Sequence, residues 1–209
     1  MAKNYKTIKA DGSMEWEIKK SRFLCHLKRV NTEEEAKAFI QSIKKEHWKA
    51  NHNCSAYLIG TNSEIQRSSD DGEPSGTAGV PMLEVLKKNE LINVCAVVTR
   101  YFGGIKLGAG GLIRAYAHSV SEGLQAVGLV VGKSQQEVFL EIDYSLLGKL
   151  QNNLDDKMIK DTLFTDKVTV ICAVDEEQVP GFEAEMIDLL QGQVTISLGE
   201  IGYHEVPLN

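Results

Sequence analysis

Basic side chains bracket a run of glycines in RYFGGIKLGAGGLIR: Arg100, Lys106 and Arg114 stand before, within and after Gly103, Gly104, Gly108, Gly110 and Gly111. Glycine lets backbone N–H groups turn toward a ligand, and a helix that follows adds unpaired donors and its positive dipole end. That chemistry is anion holding. The run lacks the Gly-Lys-Ser/Thr ending of a P-loop and the G-x-G-x-x-G spacing of a dinucleotide fingerprint. The competing reading is that the glycines only allow a strand and a helix to pack closely.

A second polar group surrounds it in sequence. Asp70, Asp71 and Glu73 in DDGEP are spaced to hold a hydrated Mg²⁺, yet the twelve-residue EF-hand pattern is absent and no metal site is assigned. The bland alternatives are a solvated turn or partners for nearby arginines. If these carboxylates face Arg100 and Arg114, they weaken an anion site rather than create one. His52 and Cys54 lie two apart on a strand, where alternate residues share a face, so their proximity needs no catalytic explanation. His118 shares an i, i+4, i+8 stripe with Arg114 and Glu122. His52, Asp70, Asp71, Glu73 and His118 are thus a candidate polar cluster with no reaction assigned.

The elements that must position these residues read as α+β. YKTIK, SMEWEIKK and SRFLCHLKRV are strands, with Asp11-Gly12 expected as a hairpin turn. Thr32 and Glu35 have capping-box spacing at the start of a helix whose apolar face is Ala36, Phe39, Ile40 and Ile43. HNCSAYLIG is a strand; Ser75 or Thr77 is the expected N-cap of a helix near Val80 to Lys88. The longest apolar strand lies within Leu91 to Phe102. It feeds the glycines and a helix from about Gly110 to Val127, with Ile113, Tyr116, Val120, Leu124 and Val127 inward. A boundary is expected near Gly132, giving domains 1–132 and 133–209. The second domain reads strand 137–144, helix 145–154, strands 158–164 and 167–175, helix 182–191, strand 193–203. That β-α-β-β-α-β order is ferredoxin-like.

Composition narrows the partners. Residues 1–132 carry 18 Lys+Arg against 14 Asp+Glu, while 133–209 carry 5 against 15, and all five arginines lie in the first part. Any polyanion affinity therefore belongs to the N-terminal part. No apolar run approaches the roughly 18 residues that span a bilayer, and MAKNYKTIKADG lacks the apolar core of a signal peptide. Four scattered cysteines without a C-x-x-C pair read as buried thiols of a reducing cytoplasm, and a structural zinc site is not expected. The expectation is a cytoplasmic protein with no membrane partner and no cofactor.

HNCSAY (52–57), DDGEPSGTAGVP (70–81) and VVTRYFGGIKLGAGGLIRAY (97–116) together resemble the YigZ/IMPACT family in its bacterial two-domain form. The resemblance covers essentially the whole chain. It implies an N-terminal domain with the fold of the second domain of ribosomal protein S-five, a four-stranded sheet against two helices with a left-handed crossover. It implies a C-terminal domain like that of elongation factor G. Eukaryotic members act in translational control through a partner-binding domain that this chain lacks. The resemblance therefore implies a translation- or stress-associated factor whose partner is RNA, the ribosome or a ribosome-associated protein. The alternative is a Mg-dependent enzyme acting on a phosphorylated small molecule or nucleotide, by fold analogy with GHMP-type kinases. There the DDGEP carboxylates would hold the metal and the glycine turn the phosphate.

Overall fold

Alternating polar and apolar residues make Gly12–Ile18 (β2) and Ser21–Arg29 (β3) an antiparallel pair in a computed structural model that describes residues 4–208. The turn between them is Lys19-Lys20, both with positive φ, 48° and 64°. This left-handed pair is what a two-residue hairpin needs to match strand twist. The expected turn at Asp11-Gly12 is therefore incorrect. Asp11 instead accepts the Arg29 backbone N–H through Oδ1 at 2.8 Å, and Tyr5–Ile8 (β1) pairs with Leu129–Ile142 (β7), not with β2. A lysine pair carries none of the usual cues for a left-handed turn, whereas Asp-Gly does.

The chain divides into two units, one built on Tyr5–Val131 and one on Gly132–Glu205. The sheet of the first has the order β2-β3-β6-β4-β5, where His52–Ile59 is β4, Ile65–Ser69 is β5 and Val94–Tyr101 is β6. Every neighbouring pair in it is antiparallel. The sheet thus has five strands where the resemblance implied four. Helices Gly79–Lys88 (α2) and Ala109–Val127 (α3) cover one face, burying Phe23, Leu27, Leu58, Met82, Val98 and Tyr116. Helix Glu33–Glu46 (α1) covers the other with Ala36 and Ile43 against Tyr57, Cys95 and Val97. β4 and β6 are consequently buried on both sides, which explains their uninterrupted apolar runs.

Local signals explain the ends of α1 and α3. Thr32 Oγ1 accepts the Glu35 N–H, and the Glu35 carboxylate reaches back to the Asn31 N–H at 2.7 Å, one residue earlier than a capping box requires. Gly128, with φ of 73°, closes α3. Its inward face is Leu112, Ala115, Tyr116, Ser119, Val120, Gly123 and Leu124. Ile113, expected inside, is 42% exposed, because the helical stripe runs through its neighbour Leu112.

In the second unit β7 lies beside Val168–Asp175 (β9), β9 beside Ile159–Phe164 (β8), and Thr195–Pro207 (β10) pairs with β7. The strand order β10-β7-β9-β8 is the 4-1-3-2 arrangement of a ferredoxin-like fold. Leu147–Gln151 (α4) and Val179–Leu189 (α5) supply Leu150, Phe182 and Met186 to its core. Among the described residues no helix is long and apolar enough to cross a membrane.

Beneath the C-terminal end of α1, the His26 and His47 rings meet tilted at 39° with centroids 5.0 Å apart, and among the described residues neither buried Nε2 has a hydrogen-bond partner. Burial, with His47 adding like-charge repulsion against a weaker pull from Glu46, depresses His26 from 6.5 to about 4. A histidine kept neutral in the fold contributes stability above its unfolded value, and that stability is lost as pH falls from 6.5 toward 4. Thermal unfolding of wild type should therefore show a falling midpoint across this window. His26→Leu should flatten that limb, and unchanged limbs in the two proteins would contradict the assignment.

Candidate anion-binding cleft

DDGEP folds onto β4, and each carboxylate takes a different duty there. Asp70 accepts three backbone N–H groups: Gly76 through Oδ2 at 2.8 Å, and Ala78 and Gly79 through Oδ1 at 3.1 and 2.8 Å. These are loop and first-turn donors of α2, so Asp70 caps a helix that begins nine residues later. The expected caps Ser75 and Thr77 are not used; Thr77 Oγ1 donates to the Pro74 carbonyl instead. Asp71 binds Lys44 Nζ at 2.6 Å through Oδ1 and the Asn53 N–H at 2.7 Å through Oδ2.

Glu73 is buried, 8% exposed, and faces β6 and α3. Its Oε1 accepts from Arg100 Nη1 and from the Tyr116 hydroxyl, both at 2.7 Å. Arg100 is 5% exposed, with its guanidinium between the Phe23 and Phe102 rings at 5.5 and 5.4 Å. Arg100 is therefore neutralised inside the unit, whereas among the described residues no ion pair holds Lys106 or Arg114, both of which are exposed. Arg114 Nη1 reaches back to within 3.7 Å of where a Gly110 side chain would begin, over the first turn of α3. The question left by the sequence resolves unevenly: Glu73 takes Arg100, and among the described residues no carboxylate takes Arg114.

The glycines also separate by role. A side chain on Gly103 would meet the Lys20 carbonyl at 1.9 Å, so this glycine is a packing residue against the β2–β3 turn. Gly104 and Gly108, at φ of 85° and 72°, need glycine for conformation and have open space beside them. Among the described residues no side chain caps α3, so its first-turn N–H groups are available. Beside them opens a cleft of about 410 Å³, lined by His52, Glu73, Arg100, Phe102, Lys106 and Leu107 among others. Phe102 is 45% exposed, and its backbone N–H is fixed by Asn51 Oδ1 at 2.8 Å. Tyr101, the other aromatic residue there, turns away to His47 and Arg22.

The remaining candidates are divided. His52 joins the site: its Nδ1 donates to the Asp71 carbonyl at 2.9 Å, and its Nε2 lies 3.8 Å from Glu73 Oε2. His118 does not join it; its ring meets Trp16 edge-on at 4.5 Å, with Glu122 as ion-pair partner. Cys54 donates its thiol to the Asp70 carbonyl and is pushed up to about 12 by burial, which removes it as a nucleophile. The Tyr116 hydroxyl is raised too, by burial first and then by Cys54 and Glu73. Sequence reasoning missed the Tyr116–Glu73 bond and the lining residues Asn51 and Pro74, which come together only across strands.

The Impact N-terminal domain matches residues 19–124, which contain the whole cleft, and a domain of unknown function matches residues 140–193. The IMPACT family member YvyE of Bacillus subtilis (strain 168) is 53% identical over 100% of this chain and 97% of its own length. The chain belongs to the IMPACT family. Another IMPACT family member, YigZ of Escherichia coli (strain K12), is 37% identical over 86% of this chain and 90% of its own. A crystal structure of a hypothetical protein matches 96% of this chain and 99% of that one, with a TM-score of 0.61 and 33% identity. As an IMPACT-family chain, it thus carries the glycine turn and DDGEP inside the segment that defines the family's first domain.

Proposed function

We propose that this IMPACT-family protein is a factor of translational control that docks through its N-terminal unit on RNA, free or within the ribosome. One observation carries the reading. Among the described residues, Lys106 and Arg114 stand exposed and without ion-pair partners around the uncapped start of α3, beside a cleft walled by an exposed Phe102. Cations set phosphate contacts, and an exposed aromatic ring adds a stacking surface for an unpaired base. The charge asymmetry supports the same unit, since the second part carries 15 acidic against 5 basic residues.

The reading as a Mg-dependent phosphate enzyme is less favoured. The carboxylates it would draw on hold a helix start, a lysine and an arginine respectively. The test is co-sedimentation with ribosomes or bulk RNA at low salt. Lys106→Ala with Arg114→Ala should reduce the bound fraction at least several-fold without changing the unfolding midpoint by more than a degree or two. Equal sedimentation of variant and wild type would overturn this reading. Arg100 is left intact because its loss would unfold the site rather than probe it.

A further inference from the structure

Resting on the RNA reading, we infer that the cleft is a base pocket: it takes one unstacked purine, with the phosphate of that nucleotide at the rim. The floor and the rim differ in chemistry. At the floor, Arg100 uses Nη1 on Glu73, and among the described residues its other nitrogens make no hydrogen bond, Nε being fully shielded. Glu73 uses Oε1 for both of its short bonds, leaving Oε2, among the described residues, with only His52 Nε2 at 3.8 Å. A paired carboxylate and guanidinium cancel in charge, so the floor repels a bare phosphate no less than it attracts one. It still offers an acceptor in Glu73 Oε2 and donors in the Arg100 Nη groups, the shielded Nε excepted.

A ligand that matches this floor has a donor next to an acceptor on a flat edge. Purines do: adenine through N6–H and N7, guanine through N1–H and O6. The walls suit a ring, since the exposed Phe102 ring lines the cleft and Pro74, Leu107 and Leu112 add apolar surface. The positive features lie at the rim, where Lys106 and the first N–H groups of α3 flank Gly108. Base inside and phosphate outside is the order that places each group against its complement. Uracil and cytosine carry a donor and an acceptor too, but present less surface to Phe102 and stack more weakly.

The experiment uses the full chain with fluorescent single-stranded A-rich, G-rich and U-rich oligonucleotides, and with free AMP, GMP, UMP and inorganic phosphate by calorimetry. The expected result is at least a tenfold preference for purine over uracil oligonucleotides, and the same order among free nucleotides with phosphate weakest. Phe102→Ala should abolish that preference by weakening the purine oligonucleotides to the level of the uracil ones, and the residual binding should keep its salt sensitivity because Lys106 and Arg114 are intact. Equal binding of all three oligonucleotides, unaffected by Phe102→Ala, overturns the base pocket and leaves RNA docking standing. Purine nucleotides bound with no RNA bound upholds the pocket and overturns docking. Inorganic phosphate binding as tightly as AMP overturns the pocket.

Discussion

Glu73→Ala is expected to destabilise the N-terminal unit by about 3–5 kcal/mol, the range for breaking a buried ion pair by removing one partner. The loss leaves a guanidinium without counter-charge between two aromatic rings, and a Tyr116 hydroxyl without an acceptor. Tyr116 cannot replace the missing anion, because burial and its neighbours hold the phenol well above its ordinary value. Glu73→Gln keeps an acceptor and should cost less. The double variant Glu73→Leu with Arg100→Met should cost less than the two single losses summed, since neither charge is then stranded. Both tryptophans, Trp16 and Trp48, lie in this unit, so urea titration followed by their fluorescence reports it alone. An alanine variant within about 1 kcal/mol of wild type would contradict the pairing.

Asp70→Ala should cost about 2–3 kcal/mol by the same measurement, because three backbone donors lose their acceptor at a helix start with no other side-chain cap. Burial raises the Asp70 carboxyl, but the donors from Gly76, Gly79 and Ala78 outweigh it and the net value lies below 3.8. A lowered carboxylate contributes stability that is present above its unfolded value and lost as pH falls through its folded one. Asp70→Asn, which has one acceptor oxygen in place of two, should fall between wild type and Asp70→Ala near neutral pH. It should also lose the part of the acid limb below 3.8, a region distinct from the His26 window. Wild-type stability in Asp70→Ala would refute the capping role.

The order of elements could be read along the chain because it depends on local patterns: the 3.6-residue stripes of α1 and α3 and the β-α-β-β-α-β sequence of the second part, although its first strand, expected at 137–144, starts earlier, at Leu129. What could not be read depends on distant pairing. Asp70, Asp71 and Glu73 look alike in sequence, yet one caps α2, one bridges α1 to β4, and one neutralises β6. Their separation follows from a chain reversal in which Asp71 and Gly72 adopt φ of 44° and 88°, turning successive side chains in different directions. The cap was misplaced for a related reason: Ser75 and Thr77 are the right residue types near the helix start, but a carboxylate from the loop already takes those donors. His118 was grouped with the site by helical spacing, which cannot tell that its ring would meet Trp16 on β2 instead.

The five glycines illustrate the same division. Their number marked the turn, and three-dimensional packing separated Gly103, pressed against Lys20, from Gly104 and Gly108, which face open space. The cations divided likewise, with Arg100 internal and Lys106 and Arg114 outward. A fivefold-glycine turn is thus part scaffold and part rim of a cleft.

The most direct test of RNA docking at this rim is the salt dependence of single-stranded RNA binding, followed by fluorescence anisotropy for wild type and the Lys106→Ala, Arg114→Ala variant. Two lost phosphate contacts should shallow the slope of log affinity against log salt by about 1.4, at about 0.7 per contact. A variant whose slope and affinity both equal those of wild type would contradict it.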